Sequence, residues 1–228
     1  MIRALIFDLD DTLYCERDFV SGGFRAVAQR LAAICGSDWE ETHEFMLAKL
    51  SLAGRRQVFP AVLERFPAAG LRLEDFVSIY RSHIPEIRLY DGYAELLGKL
   101  RKFYRLGLVT DGNPQVQRTK CGALRLEEYF DQMIFTWDHG EEKEKPHPFA
   151  FRLALDRLGV EASEALFIGD NVEKDCHGAR SIGMKSIRVR KEGPDREAKH
   201  EEDADIVIDS LIQLPFILTL FGGQHEAA

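Results

Sequence analysis

The sequence lacks the features that mark membrane and nucleic-acid-binding proteins. A helix that spans a bilayer takes about 20 apolar residues, and the longest apolar run near the end, residues 211–221, is interrupted by Gln213 and Pro215. It has no stripe of lysine and arginine of the kind that binds nucleic acid, and its formal net charge is -8. The first residues show no signal-peptide pattern. We therefore expect a cytoplasmic protein without membrane or nucleic-acid partners.

Cysteine is scarce, and its spacing matches no metal or redox motif. The 228 residues include four cysteines, Cys15, Cys35, Cys121 and Cys176. We interpret them as free thiols in a reducing compartment. The chain is long enough for one sizeable core and a small accessory domain.

The most informative stretch is the start of the chain. Residues 3–7 form an apolar run without turn residues, which predicts a strand at the centre of a sheet. The run ends in Asp8-Leu9-Asp10-Asp11-Thr12. If the extended conformation persists, the side chains of Asp8 and Asp10 lie on the same side and repel each other. A hard cation or a shared proton would compensate for this repulsion, whereas a lone motif of this kind would also fit a solvated acidic turn.

Residues 15–88 contain no convincing strand pattern and several amphipathic helical faces. Gly36 is predicted to end the first helix, and Ser37 and Asp38 are candidates to cap the second. We therefore predict a helical block inserted just after the first strand.

From residue 89 onward helices and strands alternate, which is typical of a parallel sheet with helical crossovers. The predicted strands are residues 106–109, 132–135, 165–168, 184–189 and 205–208. A helix beginning at Asp91 is expected to bury Phe103. Residues 190–203 are expected to form an exposed charged loop, and those from Gly222 onward a loose tail. The predicted fold class is α/β, with a parallel sheet flanked by helices.

Polar side chains follow the predicted strands, at the edge where parallel sheets bind ligands. These residues are Asp8, Asp10, Thr110, Lys145, Asp170 and Asp175. Carboxylates bind Mg²⁺, a hydroxyl beside backbone N–H groups in a glycine turn can hold an oxyanion, and a lysine neutralises phosphate. Together these groups suit phosphoryl transfer.

Four motifs resemble those of the haloacid dehalogenase superfamily, and the resemblance covers nearly the whole chain. The motifs are Asp8-Leu9-Asp10-Asp11-Thr12, Thr110, Lys145-Pro146, and Gly169-Asp170 through Asp175 with Gly178-Ala179. The resemblance implies a Rossmann-like catalytic core formed by residues 1–14 and 89–228. It also implies that residues 15–88 form a type 1 (C1) helical cap domain.

The resemblance implies catalytic roles for four residues. Asp8 would be the nucleophile that forms an aspartyl-phosphate, and Asp10 would be the general acid and base. Thr110 and the backbone N–H groups near it, in Asp111 and Gly112, would hold the phosphoryl oxygens, and Lys145 would neutralise charge on the nucleophile and the phosphate.

The resemblance also implies a Mg²⁺ site. Its ligands would be Asp8, the backbone carbonyl of Asp10, and Asp170. Asp175 would orient Lys145 or metal-bound water from outside the ligand sphere. Asn171 would belong to the same supporting layer.

Several residues have competing structural interpretations. Thr110 could cap the following helix, and Lys143 is a nearby rival of Lys145. Asp170 and Asp175 could be a turn residue and a charge at a helix start.

The departures from the family pattern leave the phosphate chemistry intact. True dehalogenases of this superfamily lack the acidic residue that Asp10 provides, which favours phosphate chemistry over carbon–halogen cleavage. Asp111 stands where many relatives have asparagine, and we expect no effect on Thr110.

The sequence therefore predicts a Mg²⁺-dependent phosphohydrolase that acts on a small phosphate ester and is a monomer or homodimer. One alternative is a sugar-phosphate mutase of the same superfamily. Another is a non-catalytic phosphate-binding regulatory protein, although such a protein would be expected to have lost a motif residue.

Overall fold

The first strand lies at the centre of a parallel sheet. The computed structural model describes residues 1–66, 70–190 and 204–221, and in it strand β1 is Ala4–Phe7. All four residues of β1 have 0% exposure. A strand covered on both faces needs such a continuous apolar run, because neither face of the strand meets water.

The segment after β1 is helical and forms a compact unit of its own, Glu16–Ile87. Its helices are α1 (Glu16–Cys35), α2 (Trp39–Ala53), α3 (Val58–Arg65) and α4 (Leu73–Ser82). A short 3₁₀ turn, Arg55–Gln57, precedes α3. The apolar faces of the helices meet in one core that contains Val20, Phe24, Val27, Leu31, Met46, Val58, Val62 and Phe76.

Local signals set the boundary between α1 and α2. Gly36 follows α1 with φ of 71°, a left-handed conformation that glycine adopts without steric cost. The Asp38 side chain accepts a hydrogen bond from the Glu41 N–H at 2.9 Å and so caps α2. The predicted end of the first helix and the Asp38 cap are both confirmed.

The second compact unit comprises Met1–Cys15 and the chain from Arg88 onward. Its strands after β1 are β2 (Arg105–Thr110), β3 (Gln132–Phe135), β4 (Ala165–Gly169), β5 (Lys185–Val189) and β6 (Ile206–Ile208). They form a sheet of order β3-β2-β1-β4-β5-β6 in which every neighbouring pair is parallel. The predicted α/β fold class is therefore confirmed. Because the strands are parallel, their carboxyl ends share one edge, and the ends of β1, β2 and β4 are adjacent there.

Helices connect these strands. The described ones are α5 (Tyr93–Leu100), α6 (Pro114–Ala123), α7 (Pro148–Leu158), α8 (Gly178–Arg180) and α9 (Leu214–Leu220). A π-helical turn, Val172–His177, leads directly into α8. Helix α7 buries Phe151 against Phe167 of β4, with ring centroids 4.9 Å apart. This packing anchors the helix that follows the Lys145 loop to the sheet.

The structure corrects one prediction for the first helix of this unit. Helix α5 ends at Leu100, so Phe103 lies beyond it and its side chain is 49% exposed rather than buried. Gly92, with φ of 80°, and not Asp91 directly precedes the helix. A glycine at this point allows the left-handed turn that redirects the chain into the helix.

Some predictions fall outside the described residues. The expected charged loop lies almost entirely within residues 191–203, and the expected tail begins at Gly222; both segments are outside the described ranges. Among the helices of the described ranges, none combines the length and the apolar character that crossing a bilayer requires.

Candidate active site

The carboxyl ends of the central strands bring the predicted polar residues together. Asp8 directly follows β1, Thr110 is the last residue of β2, and Asp170 directly follows β4. Lys145 lies on the loop between β3 and α7. These four residues have exposed fractions of 8% or less. The sheet topology therefore gathers residues that lie far apart in the sequence into one buried cluster.

Asp8, Lys145 and Asp175 form the centre of this cluster. The Lys145 ammonium donates to Asp8 Oδ1 at 2.5 Å and to Asp175 Oδ1 at 2.7 Å. The interpretation of Asp175 as a mere helix-start charge is therefore insufficient. Burial alone would lower the pKa of Lys145, but the charges of Asp175 and Asp8 raise it above the ordinary value. Lys145 is therefore an ammonium ion at neutral pH.

The structure also separates Lys145 from its rival. The Lys143 ammonium lies 5.9 Å from the centroid of the Phe149 ring, whereas Lys145 contacts Asp8. The Lys145–Pro146 peptide bond is cis. Of the two lysines, the geometry favours Lys145 as the one that acts on Asp8.

The donor set fits a hard divalent cation. Asp8, Asp170 and Asp175 offer carboxylate oxygens that all lie within 4.8 Å of one another. These three carboxylates and the Lys145 ammonium leave a formal charge of -2. Burial raises the pKa of Asp8 well above its ordinary value, against the charge of Lys145, and Asp175 and Asp170 raise it further. Oxygen ligands and uncompensated negative charge are what Mg²⁺ requires.

The backbone after β2 forms a glycine turn. Gly112 has φ of 106°, in the region that favours glycine. The Asn113 side chain accepts from the Val116 N–H at 3.2 Å and caps α6, with Pro114 in the first turn. Because Asn113 performs the capping, the alternative role of Thr110 as a helix cap is not the one that the structure shows.

Asp10 does not share the partners of Asp8. Its carboxylate accepts hydrogen bonds from Tyr14 at 2.5 Å, from Lys120 at 2.7 and 3.0 Å, and from Gln117 at 2.8 Å. Burial alone would raise the pKa of Asp10, but the charge of Lys120 and the hydrogen bonds lower it below the ordinary value. Its side chain is outside the group of three carboxylates, so a contribution of Asp10 to a metal site would come from its backbone carbonyl.

The chain leaves the extended conformation just after these carboxylates. Asp11 has φ of 58°, and the Leu13 N–H donates to the Leu9 carbonyl at 3.0 Å. The extended conformation that the sequence analysis assumed for this segment therefore ends no later than Asp11. Lys145 pairs with Asp8 and Lys120 pairs with Asp10, and of these two ion pairs only the one with Lys120 was not predicted from the sequence.

Comparison with known proteins identifies the family. The sequence matches the haloacid dehalogenase-like hydrolases over residues 2–183, which is more than half of the chain. The chain belongs to the haloacid dehalogenase-like hydrolase family.

Relatives of this haloacid dehalogenase-like hydrolase cover nearly its whole length. A glyceraldehyde 3-phosphate phosphatase from Methanocaldococcus jannaschii is 30% identical over 222 residues, which are 94% of this chain and 96% of the relative. A ribulose-1,5-bisphosphate 5-phosphatase from Halopiger xanaduensis is 30% identical over 243 residues and covers 94% and 98% of the two chains. The crystal structure of a HAD phosphatase from Thermococcus onnurineus has a TM-score of 0.66 and 28% identity, with coverages of 99% and 100%.

The side chain of Asp111 has three structural partners. Oδ1 accepts from the Thr136 hydroxyl at 2.9 Å and from the Lys145 N–H at 3.1 Å, and Oδ2 accepts from Lys174 at 3.2 Å. This carboxylate therefore fixes the Lys145 loop to the end of β2. Binding of the substrate by the backbone N–H of Asp111 remains a prediction.

Asn171 and Gly169 shape the loop that carries Asp175. The Asn171 side chain caps the π-helical turn by accepting from the Lys174 N–H, and its own N–H donates to Asp175 Oδ2, both at 3.0 Å. A Cβ atom on Gly169 would lie 2.3 Å from Asp175 Oδ2. The glycine is therefore required for Asp175 to reach Lys145.

Sequence reasoning missed the residues that surround Asp10. Gln117 and Lys120 have exposed fractions of 2% and 3%, although neither belongs to the four motifs. One signal was present: Gln117, Lys120, Cys121 and Leu124 follow the spacing of a single helical face. Polar residues on a face that also carries apolar ones indicate a buried polar partner.

Proposed function

We propose that this protein is a Mg²⁺-dependent phosphohydrolase that cleaves small phosphorylated metabolites through an aspartyl-phosphate on Asp8. One observation carries the proposal: the Asp8 carboxylate accepts from the Lys145 ammonium and is one of three buried carboxylates whose arrangement suits a hard cation. An anionic nucleophile can approach a phosphate ester only if surrounding positive charge offsets the repulsion.

The first half-reaction transfers the phosphoryl group to the protein. A carboxylate oxygen of Asp8 attacks phosphorus, and the bond from phosphorus to the ester oxygen breaks. Asp10 has to carry a proton in this step, although the charge of Lys120 lowers its pKa. It gives that proton to the departing oxygen, so that an alcohol leaves, and the water of the second half-reaction returns a proton to it. Lys145 offsets charge on Asp8 and on the transferring group.

The second half-reaction restores the protein. Water attacks the phosphorus of the aspartyl-phosphate while Asp10 accepts a proton from it, and the bond to Asp8 breaks to release inorganic phosphate. The Thr110 hydroxyl and the N–H groups of Asp111 and Gly112 hold the phosphoryl oxygens in both steps.

Asp8, Asp170 and the Asp10 carbonyl would hold Mg²⁺, and Asp175 would support them. When bound, the ion supplies charge neutralisation for the nucleophile and the phosphate. Asp175 is itself a member of the group of three carboxylates, so it would support the ion either as a direct ligand or through a bound water.

The names of the relatives support a proposal for the substrate class. The two relatives are named for phosphorylated sugars, one with a three-carbon and one with a five-carbon skeleton. We propose small sugar phosphates as substrates, with the helical unit Glu16–Ile87 as the cap domain that sets specificity. A mutase would use the same Asp8 and Asp10 but would return the phosphoryl group to a sugar hydroxyl instead of water.

The proposal is tested by steady-state release of inorganic phosphate from a panel of sugar phosphates and an aryl phosphate. The parent protein is compared with Asp8→Asn, with and without Mg²⁺, and Asp91→Asn is the control because Asp91 is exposed. We expect Mg²⁺-dependent turnover in the parent and in Asp91→Asn, and a loss of about 10⁴-fold or more in Asp8→Asn, as for loss of a catalytic nucleophile.

Two results would contradict the proposal. Turnover that survives in Asp8→Asn would exclude the aspartyl-phosphate, and turnover unaffected by chelation of Mg²⁺ would exclude the metal requirement. Isomerisation of a sugar phosphate without phosphate release would establish the mutase alternative instead. Binding of phosphate without any turnover would favour the non-catalytic alternative.

A further inference from the structure

Helix α6 carries two buried polar side chains that the proposed mechanism does not use. Gln117 and Lys120 lie three residues apart and therefore on the same face of the helix. A buried ammonium or amide is costly unless its hydrogen-bonding groups are paired. The burial of these two side chains therefore requires hydrogen-bond partners that compensate for it.

Both side chains converge on Asp10. Lys120 donates to Oδ1 at 2.7 Å and to Oδ2 at 3.0 Å, and Gln117 Nε2 donates to Oδ2 at 2.8 Å. Tyr14 also donates to Oδ1, at 2.5 Å. Each carboxylate oxygen thus accepts two hydrogen bonds, which restrains rotation of the Asp10 side chain about both of its torsions.

Gln117 has a second contact that connects Asp10 to the phosphate-binding turn. Its Nε2 also donates to Thr110 Oγ1 at 2.5 Å. A side-chain amide carries two N–H donors, so one amide group can serve Asp10 and Thr110 together. Because Thr110 Oγ1 accepts this hydrogen bond, its own O–H is oriented to donate elsewhere, as a group that binds a phosphoryl oxygen must.

We propose that Gln117 and Lys120 are positioning residues that hold Asp10 at a fixed place relative to the phosphoryl group bound by Thr110. This inference rests on the proposed function, since it assigns the geometry on which proton transfer by Asp10 depends. A displacement of about 1 Å at a reacting group can cost about 100-fold in rate.

A purely structural role would have a different consequence. If Gln117 and Lys120 only satisfied a buried carboxylate, their loss would weaken folding or change all substrates alike. If they position the general acid, their loss affects most strongly the substrates whose leaving group needs a proton. The dependence of rate on leaving-group basicity therefore distinguishes the two roles.

The experiment measures kcat/KM for aryl phosphates of increasing leaving-group basicity, from 4-nitrophenyl phosphate to phenyl phosphate, at saturating Mg²⁺. The variants are Gln117→Met, which keeps the length of the side chain without its donors, and Gln115→Met as a matched control. Gln115 is exposed and lies on the same helix. The kcat/KM value is used because it reports the steps through loss of the leaving group.

We expect Gln117→Met to lose about 10- to 100-fold with phenyl phosphate and only a few-fold with 4-nitrophenyl phosphate, which leaves readily without a proton. Gln115→Met should follow the parent along the whole series. Lys120→Met removes the second donor and also the charge that lowers the pKa of Asp10, so its dependence on the leaving group is measured across a range of pH. Lys99→Met is its control, because Lys99 forms an exposed pair with Glu95.

A variant that loses activity with an unchanged dependence on the leaving group would overturn the inference, and so would a variant that loses none. If Gln117→Met does not fold, Gln117→Leu gives the same readout, because leucine also lacks the N–H donors and adds no charge beside Asp10. Failure of the parent to hydrolyse any phosphate ester would refute the proposed function instead, which separates the two results.

Discussion

At the scale of single residues, Asp111 shows how one carboxylate can fix a catalytic loop. Its Oδ1 accepts from Thr136 and from the backbone of Lys145, while its Oδ2 pairs with Lys174, whose side chain is 40% exposed. An ion pair with so exposed a partner contributes little. The two hydrogen bonds to Oδ1 matter more, since they fix the backbone that carries the Lys145 ammonium to Asp8.

These contacts predict a difference between two substitutions. Asp111→Asn keeps an acceptor for Thr136 and Lys145 and should change kcat by no more than about threefold, within the range of a weak surface pair. Asp111→Ala loses all three contacts and should lower kcat by about 10-fold or more through misplacement of Lys145. Steady-state kinetics on the best substrate measure both.

Lys174→Met provides the matched control for these two substitutions of Asp111. It keeps both hydrogen bonds to Asp111 Oδ1 and removes the ion pair with Asp111, together with a longer one to Glu144 at 3.7 Å. It should resemble Asp111→Asn. If Asp111→Asn proved as damaging as Asp111→Ala, the charge of Asp111 rather than its hydrogen bonds to the Lys145 loop would be the important property.

At the scale of elements, the close packing of α8 against α7 depends on Gly178. A Cβ atom at this position would lie 2.5 Å from the Phe151 ring and 3.1 Å from the Pro146 Cα. The Pro146 Cα is a backbone atom next to Lys145, so it cannot move without disturbing the active site. Packing thus explains why the fourth motif has a glycine at position 178.

Gly178→Ala should destabilise the protein by about 1–3 kcal/mol, the usual cost of overpacking. Gly98→Ala is the matched control, because Gly98 lies within α5 and no atom would lie within 4 Å of its new Cβ. This second change should stabilise by about 0.5–1 kcal/mol, since alanine is the better helix former. Urea unfolding measures both, and equal effects of the two substitutions would refute the packing argument.

Elements also explain what the sequence could and could not predict. The strands and their polar ends were predictable, because buried parallel strands are continuous apolar runs and Asp8, Thr110 and Asp170 interrupt them abruptly. The partners of Asp10 were not, because Gln117 and Lys120 lie 107 and 110 residues away in the chain. Helical periodicity indicates that they share a face, but only the packing of α6 shows which residue that face meets.

At the scale of the whole molecule, the active site stores repulsion that folding must overcome. The pKa of Asp8 is raised well above its ordinary value, first by burial and then by Asp175 and Asp170. A carboxylate with a raised pKa in the folded state contributes stability below its unfolded pKa, near 4, and loses that contribution as the pH rises through its folded value. The metal-free protein should therefore lose stability over this range because of Asp8.

Asp8→Asn removes this charge while Lys145 keeps its contact with Asp175 at 2.7 Å. We expect the metal-free variant to have a higher melting temperature than the parent at pH 7, and the difference between the two to shrink as the pH falls towards 4. Differential scanning calorimetry in the presence of a chelator measures this difference across the pH range.

Mg²⁺ should offset this loss of stability, because a ligand that binds only the folded state raises stability by mass action. Titration with Mg²⁺ should raise the melting temperature of the parent more than that of Asp8→Asn, so that the two curves converge. Asp91→Asn should behave as the parent does throughout. A parent protein that is more stable than Asp8→Asn without metal would show that the Asp8–Lys145 ion pair outweighs the repulsion among the three carboxylates.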